Sequence, residues 1–229
     1  MGEILTKERE VVIPGQDLAK GMDFLPGGGC FRDGEHIVSS FLGLVSVNNA
    51  LIRVIPLVGK YIPKVGDVII GNVKDVSLHG WFIDTNCAYD GMLSIREVDE
   101  FIDKGADLTR YYDYGDLLVT KIVRINKFSN IDLSTKGLGY RKVIGGKIIE
   151  ITPSKVPRVI GKQGSMVNLI KEKTDCKITV GQNGRVWIQG KDSEDELLAT
   201  QAILMIENES HIEGLTDKIT KFLDKKNKK

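Results

Sequence analysis

Apolar and polar residues alternate in short β-branched runs through roughly the first 140 positions, and the spacing then becomes helical. In the first segment Glu10–Ile13, His36–Leu44 and Ala50–Leu57 are such runs, separated by turn formers at Pro26-Gly27-Gly28-Gly29 and Asn48-Asn49. The pattern predicts an all-β unit over residues 1–62. The glycine run lacks the Gly-Lys-Ser/Thr ending and following helix of a phosphate-binding loop, so it reads as a flexible loop. Gly59 to Lys64 reads as a linker. Beyond it, Val65–Val73, Gly80–Asp84, Asp90–Ile95, Leu117–Ile125 and Ile131–Ser134 predict five strands over residues 63–140, with a partly helical insertion between the third and fourth. Five strands so arranged suit an OB-type barrel.

Over residues 141–212 the order changes to strand, helix, helix, strand, strand, helix. Gly146–Thr152 is the first strand, and Pro153–Ile160 and Ser165–Asp175 are helices interrupted by Gly161-Lys162-Gln163-Gly164. Cys176–Val180 and Arg185–Gln189 flank a Gly181–Gly184 turn, and a last helix opens on a capping-box pattern at Ser193–Glu196. Residues 213–229 read as a basic tail, disordered from Lys225. The predicted class is therefore multidomain α+β.

Composition narrows the function. With 229 residues, 41% of them hydrophobic and 28% charged, the chain suits two or three small folded domains. No apolar run approaches the ~20 residues that span a bilayer, and Met1–Glu10 has no secretory character. A cytoplasmic location and no membrane partner are expected. Cys30, Cys87 and Cys176 have no Cys-x-x-Cys pair, and His36, His79 and His211 are scattered, so neither a disulfide framework nor a metal site is expected. The net charge of +1 hides an uneven distribution: residues 141–185 hold 10 basic side chains against Glu150, Glu172 and Asp175. A polyanion would be drawn there.

Within that basic stretch lies Val159-Ile160-Gly161-Lys162-Gln163-Gly164-Ser165. Two glycines between helices let a backbone turn tightly and approach a phosphate chain, the next helix starts with unpaired N–H groups, and Lys162 supplies charge. Here the sequence resembles the KH domain, a reader of single strands, with the type I order βααββα over about residues 143–212. The resemblance implies that Gly161, Lys162, Gln163 and Gly164 clamp the sugar-phosphate backbone while Ile160, Val167 and Ile178 line an apolar groove for bases. Lys155 and Arg158 either add charge or are ordinary solvated side chains. Aspartates at positions 161 and 164 together are expected to weaken RNA binding and leave folding intact.

Residues 63–137 resemble the S1-type OB-fold module through His79-Gly80-Trp81-Phe82-Ile83 and Gly91-Met92-Leu93-Ser94-Ile95. The resemblance puts Phe82 at the usual stacking position; the alternative is a core or interface aromatic. His79 stands in for a second usual aromatic, Ser94 for the usual histidine, and Asn126 and Asn130 for the usual acidic and basic pair. Trp81 alternates to the opposite, packing face. Arg124 and Lys127 are candidate phosphate contacts along and beyond the fourth strand.

A β-rich N-terminal domain followed by S1 and KH modules, with Val54–Asp67 at the first joint, is similar to the archaeal exosome cap subunits of the ribosomal-RNA-processing protein four type. The resemblance implies single-stranded RNA as partner, a hexameric ring of RNase PH-like subunits beneath three caps, and docking of the ring through the N-terminal domain. It implies no cofactor. No nucleophile, acid–base pair or metal cluster stands at a persuasive spacing: Asp99-Glu100 with Asp103 and Glu194-Asp195-Glu196 read as solvated groups, so no catalytic residue is expected. The other reading of an S1–KH pair is a transcription or translation factor binding nascent RNA.

Overall fold

The computed structural model describes residues 2–103, 105–210 and 214–226; His211 and the last three residues of the basic tail lie outside them. Met1–Gly59 and the chain from Lys60 onward form two compact units.

The first unit carries two four-stranded sheets. One has the order β1 (Glu3–Ile4), β3 (Asp17–Lys20), β6 (His36–Ser39), β5 (Cys30–Asp33); the other has β2 (Val11–Val12), β7 (Gly43–Asn48), β8 (Leu51–Pro56), β4 (Leu25–Pro26). Both contribute to one core, where Val12, Leu18, Ile37 and Ile52 are fully buried. The Pro26–Gly29 run, expected as a flexible loop, is tied down. β4 pairs in parallel with β8, Gly27 N–H donates to Ile52 O at 2.6 Å, and Gly28 O accepts from Val54 N–H at 2.9 Å. The missing side chains are what let this backbone lie against the strand: a Cβ on Gly29 would stand 2.5 Å from Val54 O.

The second unit opens with the expected barrel. β9 (Val68–Ser77), β10 (Gly80–Asp84), β11 (Gly91–Ser94), β12 (Leu117–Ile125) and β13 (Ile131–Ser134) run in the order β13-β11-β10-β9-β12, and β12 pairs back onto β13 to close it. The first strand starts three residues later than its apolar run because Asp67 turns the chain, accepting from Tyr61 Oη at 2.6 Å and Lys64 N–H at 3.2 Å. Inward positions of period two, Ile69, Trp81, Ile83, Leu93, Leu118, Ile122 and Leu133, are fully buried. Trp81 packs, as expected, with its indole N–H on Tyr112 O at 2.8 Å. The insertion contains two single 3-10 turns, Ile95–Glu97 and Leu108–Arg110. An unexpected sixth strand, β14 (Arg141–Val143), adds to the free side of β12.

The third module follows the expected order: β15 (Lys147–Glu150), α1 (Val156–Ile160) after a 3-10 turn, α2 (Ser165–Thr174), β16 (Lys177–Val180), β17 (Arg185–Gln189) and α3 (Ser193–Asn208). Its antiparallel sheet runs β15-β17-β16. The capping box at Ser193–Glu196 does not form. Asp192 is the N-cap, and the Glu196 carboxylate accepts instead from Gly190 N–H at 3.1 Å. The basic tail is also corrected: α4 (Leu215–Lys226) is a helix whose Leu215, Ile219 and Leu223, each at most 1% exposed, join the core of this module. Their four-residue spacing was present in the sequence but diluted by lysines.

Barrel and third module share a built joint. β10 ends at Asp84, so the Ile70 N–H and C=O on β9 face no strand there. The Gly181–Gly184 turn fills the gap, with Gln182 N–H on Val68 O at 2.8 Å. The fully buried Asn183 amide donates to Ile70 O at 2.8 Å and Thr85 O at 3.0 Å and accepts from Ile70 N–H at 3.3 Å. Arg185, with an 11% exposed side chain, bonds the Asp84 carboxylate and reaches Glu150. Ile70, Val119, Val143 and Trp187 bury an apolar patch beside it.

Burial pushes the Asp84 carboxyl up, but the Arg185 hydrogen bond, the Asn86 N–H and the nearby cationic charges of Arg185 and Lys74 outweigh it and hold the group below its ordinary 3.8. A depressed carboxyl stabilises the fold above that ordinary value, and the contribution disappears as pH falls through the lower folded value. The thermal midpoint of the native chain should therefore fall more steeply than that of Asp84→Asn between about pH 4 and pH 2. Parallel slopes would show that the pair does not couple to folding.

Candidate nucleic-acid interface

The Gly161–Gly164 corner is built by three departures from helical backbone within four residues. Gly161 sits at φ +75°, Gln163 at +54° and Gly164 at +81°. A Cβ on Gly161 would lie 2.7 Å from Met166 N, so both the conformation and the space require glycine; at Gly164 only the conformation does, because a Cβ meets nothing nearer than Asn168 Nδ2 at 3.6 Å. Gln163 holds a left-handed conformation that costs a non-glycine residue about 1–2 kcal/mol, and such strain concentrates at working sites. Lys162 and Gln163 are exposed. α2 starts at Gly164 without a side-chain cap and with no acidic residue in its first turn; the Ser165 N–H is taken by Lys162 O within the corner, and the positive end of the helix dipole lies there. With the exposed Lys162 ammonium beside it, the corner can attract a phosphate.

The contrast at Gly161 corrects one expectation. Aspartate there would collide with the backbone of α2, so the paired glycine substitution would disturb folding as well as binding. Of the flanking residues, Arg158 is exposed and Ile160 half-buried against the core. Lys155 is half-buried and donates its Nζ to Glu207 O at 2.9 Å, near the C-terminal end of α3. Its charge serves that helix end. Val167 and Ile178, expected to line the base groove, are 8% and 4% exposed and belong to the core; the expected apolar groove keeps Ile160 alone at its surface.

On the barrel, strand register assembles a row that alternation alone does not reveal. Phe82 pairs with Met92, Met92 with Asp132, and Asp132 with Arg124. Directly paired residues share a face, so aromatic, thioether, carboxylate and guanidinium stand side by side across β10, β11, β13 and β12. Phe82 is 40% exposed, which decides against the core reading. On its other side it pairs with Asp75 of β9. The row is thus acidic at one end and cationic at the other, where Arg124 is exposed and Lys127 follows in the next loop. His79 is exposed in the β9–β10 turn at the opposite end of the barrel strands. Met92 and Asp132 were missed from the sequence. A period-two reading of strands three and five points both outward, but only register sets them beside Phe82.

The row can stack a base on Phe82, meet base or ribose donors at Asp132 and phosphates at Arg124. Among the described residues no group of three or more His, Cys, Asp or Glu side chains could hold a metal ion.

Comparison with known proteins matches all three modules. Residues 9–58 match the family model of the exosome RNA binding protein RRP4 N-terminal domain, residues 60–104 that of the RRP4 S1 domain, and residues 146–194 that of a KH domain. The exosome complex component Rrp4 of Thermococcus kodakarensis is 46% identical over 97% of this chain and 88% of its own length. That of Pyrococcus furiosus is 47% identical over 97% of this chain and 86% of its own. A crystal structure described as that of an exosome complex RNA-binding protein aligns at a TM-score of 0.67 and 36% identity, covering 74% of this chain and 98% of that one. Sharing nearly half its residues with the two Rrp4 relatives over almost its whole length, the chain belongs to the Rrp4 family of exosome complex components.

Proposed function

We propose that the chain is the RNA-binding cap of an archaeal exosome: it recruits single-stranded RNA and steers the 3′ end to the phosphorolytic sites of a ring of RNase PH-like subunits, without making or breaking a bond itself. The observation that carries this reading is one compact unit that presents two unlike features suited to RNA, the left-handed glycine corner at Gly161–Gly164 and the exposed row from Phe82 to Arg124. Accumulated phosphate and stacking contacts raise the local RNA concentration. Gly161, Lys162, Gln163 and Gly164 hold the backbone, with Arg158 and Ile160 beside them; Phe82, His79, Arg124 and Lys127 act on the barrel. Lys155 contributes through α3.

Three such caps would sit on a hexameric ring, docked through the N-terminal unit, whose Val11, Ile13, Leu25, Phe31 and Ile55 are each at least half exposed. The assembly would work in the cytoplasm; no helix of the described residues is long and apolar enough to cross a membrane.

Purified chain, mixed with labelled single-stranded RNA, magnesium and phosphate, should bind without shortening the strand. Addition of ring subunits should give a co-eluting complex that shortens it processively. Shortening by the chain alone would make it an enzyme. Stable co-elution with RNA polymerase and not with the ring would make it a transcription factor.

A further inference from the structure

The β12–β13 loop, Asn126–Asn130, carries an aromatic ring that the fold holds in water. Phe128 is 86% exposed. Asn126 Oδ1 accepts from the N–H groups of Phe128 and Asn130, both at 2.9 Å, while Ser129 N–H donates to Asn126 O at 3.0 Å and Asn126 N–H to Asn130 O at 3.1 Å. Ser129 takes a left-handed backbone at φ +60°. Four hydrogen bonds within five residues thus fix the loop with the ring pointing away from the barrel. Asn126 and Asn130, which stand where the resemblance puts an acidic and basic pair, are used here to build the loop itself.

The location gives the ring a role. The loop joins β12 to β13 one residue pair beyond Arg124 and Asp132, since Ile125 pairs with Ile131. It therefore rises at the cationic end of the row that begins at Phe82, and exposed Lys127 directly precedes Phe128 in the loop. An aromatic face beside Lys127 and Arg124 suits a nucleotide, whose base stacks and whose phosphate meets the cations, better than an apolar peptide, for which two neighbouring charges would have to be desolvated.

Resting on the RNA-binding reading above, the geometry points to Phe128 as a second base-stacking platform of the barrel, for the nucleotide whose phosphate lies against Arg124 and Lys127 of a single-stranded RNA. Every base offers a π-face, so the platform adds affinity with little sequence preference.

The test uses the full chain and labelled poly(A). Phe128→Ala should weaken binding about tenfold, in the range stacking contacts give, and Phe128→Trp should restore it. The tryptophan variant adds a direct readout. Trp81 and Trp187 are 0% and 3% exposed, so the new red-shifted emission belongs to position 128 and RNA should quench it. If the native chain binds and Phe128→Ala binds equally, without quenching of the tryptophan variant, the platform is wrong and the RNA reading stands. A native chain that binds no RNA overturns both. Unchanged RNA affinity with loosened co-elution of ring subunits would make Phe128 a protein contact and overturn the proposal.

Discussion

Asn183→Ala should lower the stability of the barrel–KH body by about 3 kcal/mol, since each buried polar group left unpaired costs about 1–3 kcal/mol. The amide satisfies Ile70 N–H, Ile70 O and Thr85 O from a fully buried position, and alanine offers none of those bonds. Asn183→Asp should be no better, because a carboxylate there would face two carbonyl oxygens. Tryptophan emission in a urea titration isolates the effect: the chain's two tryptophans, Trp81 and Trp187, both lie in this body. A midpoint unchanged in Asn183→Ala would remove the amide from any account of how the two modules are joined.

Lys162→Glu combined with Gly164→Asp should cost about a hundredfold in RNA affinity, taking roughly 1.4 kcal/mol for each of two disrupted phosphate contacts. The pair avoids Gly161, whose Cβ would strike Met166 N, and its folding cost is confined to about 1–2 kcal/mol for a non-glycine residue in the left-handed region at position 164. Thermal unfolding should accordingly remain cooperative, and ring co-elution should persist. Binding measured across a salt series gives the second readout: each lost phosphate contact should flatten the logarithmic salt dependence by about 0.7 on a single strand. Full affinity in the double variant, with an unaltered slope, would place the RNA elsewhere on the chain.

Legibility in the sequence followed the range of the interaction that fixes each element. Barrel strands such as Gly80–Asp84 and Leu117–Ile125 were legible to the residue, because their alternation is set by which side chains face one core. The glycine corner was equally plain, since its backbone angles demand particular residues locally. Elements held by distant partners were not. β14 exists because β12 has a free side to pair with, and the Gly181–Gly184 segment reads as a simple turn until Ile70, more than a hundred positions earlier, supplies its partner. α4 was hidden differently: its apolar stripe is four residues apart amid lysines, so composition outweighed period. At the site, Phe82 and Arg124 followed from resemblance and alternation, whereas Met92 and Asp132 needed the register. Lys155 was misleading because a carbonyl of α3 claims it.

The Gly181–Gly184 seam has a consequence for ligand length. With Gln182 and Asn183 stitched to β9 and Arg185 clamped on Asp84, no floppy tether separates the two proposed binding areas, and their spacing would become a ruler. An oligonucleotide too short to bridge them should bind as if one area were absent, and one just long enough should gain avidity abruptly, with little tether entropy to blur the threshold.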